Sequence, residues 1–256
     1  MIPARPEPAA SFKDHFSGHA ADYRAFRPVY PSGLFAFLAS VSPVRDLVWD
    51  CGTGSGQAAV GLAEHFAKVF ATDASAEQLS QAETHPRVEY AVAPAERCPL
   101  ADRAADLVTV TQALHWFDFD RFYAEVRRVC RPGGLLAATC YYEPSVGPGV
   151  DPVLRRWEDF VRPYWTPERK WVDAGYRTIP FPFPELAVPP FELSVESNLS
   201  QFLGYLGTWS ATKLCAKAIG LDPLTRFGPE FAATWGDPAT VRTVRWEFNV
   251  RLGRVG

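Results

Sequence analysis

An aspartate followed by three closely spaced glycines is the stretch best suited to chemistry. Asp50 precedes Gly52, Gly54 and Gly56, and one residue separates each glycine from the next. Apolar residues before the stretch predict a buried strand, and the apolar spacing over residues 57–66 predicts a helix after it. Glycine lets a ligand approach the backbone because it has no Cβ, and the first amides of the helix face that ligand.

Two classes of ligand use such a turn. A dinucleotide requires G-x-G-x-x-G, with its pyrophosphate at the helix N-terminus. Here the third glycine comes one residue early, and the carboxylate of Asp50 would face two phosphates. The pattern therefore favours a ligand with an ammonium group and no phosphate, such as S-adenosylmethionine (SAM). A tight turn of small residues without a ligand is the alternative.

A second acidic residue, Asp73, ends the next predicted strand, residues 68–73. It lies about 20 residues beyond the turn, where a carboxylate can accept two hydrogen bonds from a ribose diol. The alternative is that Asp73 only caps the following helix.

Further motifs give the chain a family resemblance. They are Asp50 with the G-x-G-x-G turn, the run Tyr23-x-x-x-Arg27-Pro28-x-Tyr30-Pro31, Ala113-Leu114-His115-Trp116-Phe117, and Arg131-Pro132-Gly133-Gly134. Over most of residues 20–252 the chain resembles the class I SAM-dependent methyltransferases, in particular the trans-aconitate methyltransferase-like small-molecule group. Together with the pattern, this resemblance predicts SAM as cofactor, contacted by Tyr23, Arg27, Asp50, Gly52, Thr53, Gly54, Gly56, Asp73, Ala74, Ala95, Glu96, Thr111 and Gln112.

One position departs from the family pattern. Pro94 stands where an aspartate or serine is frequent, so a side-chain hydrogen bond to the adenine amino group is lost there. The backbone N–H of Ala95 can still serve the adenine, and we expect Glu96 to be structural or peripheral.

The residues that end the fourth predicted strand are expected to lie near the methyl acceptor. In an open α/β sheet, ligands bind outside the carboxyl ends of the strands, which brings Thr111 and Gln112 near the transferred methyl group. His115 is the one residue of this run that could act as a base near neutral pH, whereas a carboxylate acceptor needs no base. No [N/D]-P-P-[Y/F/W] clamp for base amines follows the strand. The residues expected to bind the acceptor are Arg24, His115, Trp116, Tyr142 and Trp157.

These side chains require an α/β scaffold. The sequence predicts a doubly wound, mostly parallel, seven-stranded Rossmann-like sheet with a helical and aromatic insertion after strand five. We expect an N-terminal arm and cap (1–30), a SAM-binding core (31–142), a lid and substrate insertion (143–190) and a C-terminal completion of the sheet (191–256). One helix is expected over residues 200–219, and the resemblance implies that the last strand, residues 244–252, is antiparallel.

Composition limits the partners. A net charge of −3 gives no reason to expect nucleic acid, and no apolar run of about 20 residues indicates a membrane span. The five cysteines lack metal-ligand spacing and are typical of reduced thiols, and no signal peptide is evident, so a cytoplasmic protein is expected. Nothing indicates the oligomeric state.

The leading hypothesis is a SAM-dependent methyltransferase (EC 2.1.1.-) that methylates an oxygen, carboxylate or hydroxyl, of a small molecule. Two alternatives are a nicotinamide-dependent oxidoreductase, against which the early third glycine and Asp50 count, and a SAM-binding protein without transferase activity.

Overall fold

The structure, a computed structural model, describes residues 26–256. Its centre is a seven-stranded sheet in the order β3-β2-β1-β4-β5-β7-β6. The strands are β1 Leu47–Cys51, β2 Lys68–Asp73, β3 Val88–Val92, β4 Ala105–Thr111, β5 Cys130–Ser145, β6 Leu193–Ser197 and β7 Arg242–Arg254. The strands at the centre of the sheet are almost continuously apolar because helices cover both of its faces.

Nine α-helices and two 3₁₀ turns are assigned in this part of the chain. The helices are α1 Ser32–Val41, α2 Gln57–Ala63, α3 Ala76–Ser80, α4 Phe119–Val129, α5 Asp151–Val161, α6 Arg169–Asp173, α7 Leu199–Gly207, α8 Ser210–Ile219 and α9 Pro223–Trp235. The 3₁₀ turns are Leu114–Trp116 and Arg162–Tyr164. Among the helices of residues 26–256, none has both the length and the apolar character that a membrane crossing would need.

Two cores lie on opposite faces of the sheet. One joins α1, α2, α5 and α7 to α9, and the other joins α4 to the segment around Val172 and Tyr176. The predicted doubly wound Rossmann-like sheet is therefore confirmed.

The last strand runs against its neighbours. β7 pairs antiparallel with β5 on one side and with β6 on the other, while β1 to β5 are parallel. The antiparallel last strand that the resemblance implied is confirmed. Because β1, β2 and β4 are parallel neighbours, the loops that leave their carboxyl ends meet at one edge of the sheet.

The helix expected over residues 200–219 is two helices. It breaks at Thr208, whose hydroxyl donates to the Tyr205 carbonyl at 2.6 Å. Trp209 is extended there, and its ring packs on Tyr205 and on Trp165, with centroid distances of 5.8 and 5.6 Å. Tertiary packing of an aromatic cluster therefore overrides the local helical pattern. The four-part domain division remains a prediction.

Candidate functional site

The glycine loop after β1 forms one wall of the site. Gly52, Gly54 and Gly56 have φ of 68°, 57° and 83°, a region that L-residues rarely adopt. The amides of Gly52 and Thr53 both donate to the carbonyl of Thr72, at 2.8 and 3.0 Å, which fastens the loop to β2. A Cβ placed on Gly54 would meet nothing nearer than 3.8 Å, so open space lies over this residue.

Asp50 lies beneath this loop and is fully buried. Its carboxylate accepts hydrogen bonds from the hydroxyls of Thr53 and Thr109, both at 2.6 Å. Burial raises the pKa of the carboxyl to about 6, against the lowering effect of the two hydroxyls. The structure thus places Asp50 as a support of the loop, and it is absent from the cavity wall.

Asp73 has the geometry expected of a ribose partner. One carboxylate oxygen accepts the N–H of Gly54 at 2.9 Å, and the other accepts the N–H of Ser75 at 2.8 Å. The residue lines the cavity, and a carboxylate oxygen can accept more than one hydrogen bond, as contact with a ribose diol requires. The hydrogen bond to Gly54 also ties Asp73 to the glycine loop.

A cavity of about 380 Å³ opens at the carboxyl ends of β1, β2 and β4. Most of the predicted cofactor residues line it: Gly52, Thr53, Gly54, Asp73, Ala74, Ala95, Glu96, Thr111 and Gln112. Gly56 does not, because its missing side chain makes room for the Tyr90 hydroxyl. Sequence reasoning missed Tyr30, Ser55, Gln57, Ala58, Ser75, Gln78, Phe117, Asp118, Tyr141 and Glu168, which also line this cavity.

The end of the cavity beyond Asp73 is suited to an adenine. Ala93, Pro94 and Ala95 form an apolar wall. The Glu96 carboxylate accepts the N–H of Asp118 at 3.1 Å, and both acids line the cavity. Space over a glycine loop, a carboxylate for a diol and an apolar wall for a base together fit the SAM that the sequence predicts.

A second, smaller cavity of about 50 Å³ adjoins the first, and Gln112 and Trp116 line both. Its walls come from chain segments far apart in sequence. Its other lining residues are Arg27, His115, Trp165, Thr166, Arg169, Val172 and Ser210. Within the part of the chain that the structure describes, no carboxylate lines this cavity, which we call the acceptor cavity.

Two guanidinium groups face the acceptor cavity. Arg169 lies over the ring of Trp165, 4.2 Å from its centroid, and its Nε donates to Asp173 at 2.5 Å. Its two terminal nitrogens have no hydrogen-bond acceptor in residues 26–256. Arg27 donates from Nη1 to the Tyr141 hydroxyl at 3.0 Å. Arg27 was expected to contact either the cofactor or the acceptor, and it lines this second cavity.

His115 is buried at the wall of the acceptor cavity. Its Nδ1 lies 2.7 Å from the hydroxyl of Tyr176. Burial, assisted by the positive charge of Arg169, lowers the pKa of His115 to about 3. The imidazole is therefore neutral across the physiological range, and its basicity is weak for a group meant to abstract a proton.

Two of the predicted acceptor residues lie elsewhere. The Tyr142 hydroxyl accepts a hydrogen bond from Arg177 at 3.1 Å, and Trp157 is fully buried with its ring edge-on to Phe227, 5.6 Å away. Neither lines either cavity, because each fills a hydrophobic core. The predicted contacts of Tyr23 and Arg24 fall outside the described residues.

Comparison with known proteins shows that the chain is similar to methyltransferases. A family model described as "Methyltransferase domain" matches residues 49–138, which span β1 to β5. A Dictyostelium discoideum protein named as a candidate methyltransferase is 34% identical over 218 residues, 83% of each chain. The solved structure of a candidate type II methyltransferase from Anaeromyxobacter dehalogenans has a TM-score of 0.84 and 48% identity, covering 90% of this chain and 98% of that one. A malonyl-[acyl-carrier protein] O-methyltransferase of Geobacter sulfurreducens is 35% identical over 138 residues, 49% of this chain and 51% of the relative.

Proposed function

Because the chain belongs to the class I SAM-dependent methyltransferases, we propose that it methylates a carboxylate oxygen of a small-molecule acid. The acid binds in the acceptor cavity, and SAM binds in the larger cavity beside it. This makes the protein an O-methyltransferase of the trans-aconitate methyltransferase-like small-molecule group. The cytoplasmic location and the absence of a nucleic-acid partner stay predictions from the sequence.

The charge of the acceptor cavity is the observation that carries this proposal. Arg27 and Arg169 line it, and no described carboxylate does. A guanidinium offers a planar fork of donors that matches a carboxylate. Arg169 is held in place by Trp165 and by Asp173, so little conformational entropy is lost when an anion binds to its free edge.

The chemistry of the cavity favours a carboxylate over a hydroxyl. A hydroxyl acceptor must lose its proton, and His115, with a pKa near 3, is a weak base for that task. A carboxylate is already ionised at neutral pH. The Geobacter relative, whose name describes an O-methyltransferase, is consistent with an oxygen nucleophile.

SAM supplies a methyl group on a sulfonium, so transfer forms an O–CH₃ bond, breaks the S–CH₃ bond and leaves a neutral ester and S-adenosylhomocysteine without releasing a proton. The residues of this chain position the two reactants. Arg27 and Arg169 hold the acid, while Gln112 and Trp116 form the boundary across which the oxygen reaches the methyl group. Alignment of the two reactants and exclusion of water supply the rate enhancement.

The proposal is tested with a matched panel of small acceptors. Each carboxylic acid is paired with its primary amide and its primary alcohol, and the protein is incubated with SAM that carries a trideuterated methyl group. We expect labelled methyl esters from acids alone, detected by mass spectrometry. Labelled products from the alcohols or amides alone would overturn the carboxylate assignment. Tight binding of SAM with no labelled product from any member would favour a SAM-binding protein that transfers no methyl group.

A further inference from the structure

Tyr176 has a backbone conformation that a bulky residue rarely adopts. Its φ is 60°, in the left-handed region, and its side chain is fully buried. Such residues persist where the surrounding structure holds them, and they cluster at functional sites. The strained residue lies next to the acceptor cavity, beside His115.

The last strand holds the turn that contains Tyr176. Arg251 donates from Nη1 to the carbonyls of Tyr176 and Ile179, at 2.9 and 2.7 Å. Asn249 donates to the carbonyl of Gly175 at 2.5 Å. The Arg251 guanidinium is itself fixed by an ion pair with Glu185 at 2.6 Å. These hydrogen bonds offset the strain and define where the side chain of Tyr176 goes.

The tethered side chain reaches the histidine of the acceptor cavity. The Tyr176 hydroxyl lies 2.7 Å from Nδ1 of His115. Which group donates depends on the tautomer of the ring. A phenol that donates to an unprotonated Nδ1 pairs the better donor with the better acceptor, and this arrangement is the one we infer. In that arrangement the single proton of the neutral ring resides on Nε2, which has no hydrogen-bond partner in residues 26–256.

We propose that Tyr176 is a positioning residue that fixes His115 as its Nε2–H tautomer, from which His115 donates a hydrogen bond to an oxygen of the bound acceptor. The inference rests on the proposed function, since it concerns the same acceptor cavity. It assigns His115 the role of a donor to the acceptor, whereas the sequence allowed a general base at this position.

Two further observations support a role beyond packing. Phenylalanine would fill the same space, yet the hydroxyl of Tyr176 is aimed at a ring nitrogen of His115. In addition, burial and Arg169 keep His115 neutral by lowering its pKa. The surroundings of the neutral ring then determine which of its two nitrogens carries the proton. A hydrogen bond to the neutral ring is how a protein selects that tautomer.

The tautomer is measured directly by long-range ¹H–¹⁵N NMR on the full chain with ¹⁵N-labelled histidine and no ligand. The chain has five histidines, and the His115→Gln variant identifies the resonances of His115. We expect His115 to be the neutral Nε2–H form in the wild type and a mixture of tautomers in Tyr176→Phe. An Nδ1–H form in the wild type would overturn the proposal even if Tyr176→Phe failed to fold, as would a folded Tyr176→Phe with the wild-type tautomer.

Steady-state kinetics test the same role by comparing two variants in which a buried tyrosine is replaced by phenylalanine. Tyr176→Phe should lower kcat/KM for the acceptor about tenfold, the worth of one hydrogen bond, with the affinity for S-adenosylhomocysteine unchanged. Tyr123→Phe also removes the hydroxyl of a buried tyrosine, which donates to the Pro180 carbonyl and lines neither cavity, so it should change neither quantity. Equal acceptor kinetics in Tyr176→Phe and the wild type would contradict the role. The NMR measurement needs no acceptor, so it separates failure of this inference from failure of the proposed function.

Discussion

The side-chain amide of Gln112 pairs with the backbone of Tyr141 as if it were another residue of the sheet. Nε2 donates to the Tyr141 carbonyl at 3.0 Å, and Oε1 accepts the Tyr141 N–H at 2.8 Å. β4 ends at Thr111, so the amide continues the ladder to β5 one step beyond the strand. Gln112 has φ of 56° and lines both cavities, which makes this pair a fixed boundary between the two cavities.

Replacing Gln112 with methionine tests that boundary. Methionine has a similar length but cannot form either hydrogen bond, so two backbone groups of Tyr141 lose their partners. We expect the free energy of unfolding to fall by roughly 1–3 kcal/mol in urea titrations, and KM for the acceptor to rise. A variant with wild-type stability and wild-type KM would show that the pairing does not hold the boundary.

Gly54 and Gly133 form a matched pair for testing the cofactor cavity. Both have positive φ, 57° and 79°, and both have open space where a Cβ would go. Alanine at either position should therefore cost a similar strain of about 1 kcal/mol in stability. Only Gly54 lines the cavity, so Gly54→Ala should abolish the binding of S-adenosylhomocysteine in calorimetry while Gly133→Ala retains it. Equal affinities would place the cofactor away from the loop.

Asp73→Asn removes the charge that we assign to the ribose. The amide keeps one acceptor oxygen, so it cannot serve the amides of Gly54 and Ser75 as well as a diol. We expect the Kd for S-adenosylhomocysteine to rise at least about tenfold, or roughly 1.4 kcal/mol. Glu77→Gln, on the first turn of α3, makes the same change of charge outside the cavity and should leave the Kd within about twofold. An Asp73→Asn variant that binds like the wild type would refute the assignment.

Arg169→Gln should affect the acceptor and spare the cofactor. With the guanidinium gone, KM for the acid is expected to rise at least about tenfold, since a charge-assisted hydrogen bond is worth about 1.5–3 kcal/mol. The affinity for S-adenosylhomocysteine should not change. The control is Arg162→Gln, because Arg162 pairs with Asp159 on the surface and lines neither cavity. An unchanged KM in steady-state kinetics of Arg169→Gln would remove this arginine from the site.

Asp50 makes the stability of the fold depend on pH. Burial raises its pKa from an ordinary 3.8 to about 6, so between these values the folded state holds a proton that the unfolded chain has released. The wild type should therefore lose stability relative to Asp50→Asn as pH rises from about 4 to about 6.5, by at most about 3 kcal/mol. Denaturant titrations of both proteins across this range give the difference. A difference that is constant, or that grows in favour of the wild type, would contradict the raised pKa.

Local patterns in the sequence were enough to predict the elements that form the larger cavity. The strand, the glycine turn and the carboxylate of Asp73 are neighbours along the chain or follow at a fixed spacing, so one stretch of sequence contains the signal. Their contact with SAM remains a prediction. The burial of Asp50 was not predictable in this way, because the hydroxyl of Thr109 that covers it belongs to another strand.

The acceptor side was harder because no single segment builds it. Arg169 comes from a short helix without a recognisable motif, and it meets His115 and Arg27 only in the folded chain. Trp157 was expected at the acceptor on the grounds that an aromatic insertion roofs a pocket. Its ring instead packs on Phe227 of α9, a partner 70 residues away that the local sequence does not reveal.

The segment that begins α6 touches both cavities. Glu168 lines the larger one, and the next residue, Arg169, lines the smaller one. Any ligand that moves this segment on binding thereby changes the affinity of the other cavity. Thermodynamic linkage makes that effect reciprocal, so SAM must strengthen or weaken acceptor binding by the same factor by which the acceptor changes the binding of SAM. Two adjacent side chains would thus couple the occupancies of the two cavities wherever ligand binding shifts this segment.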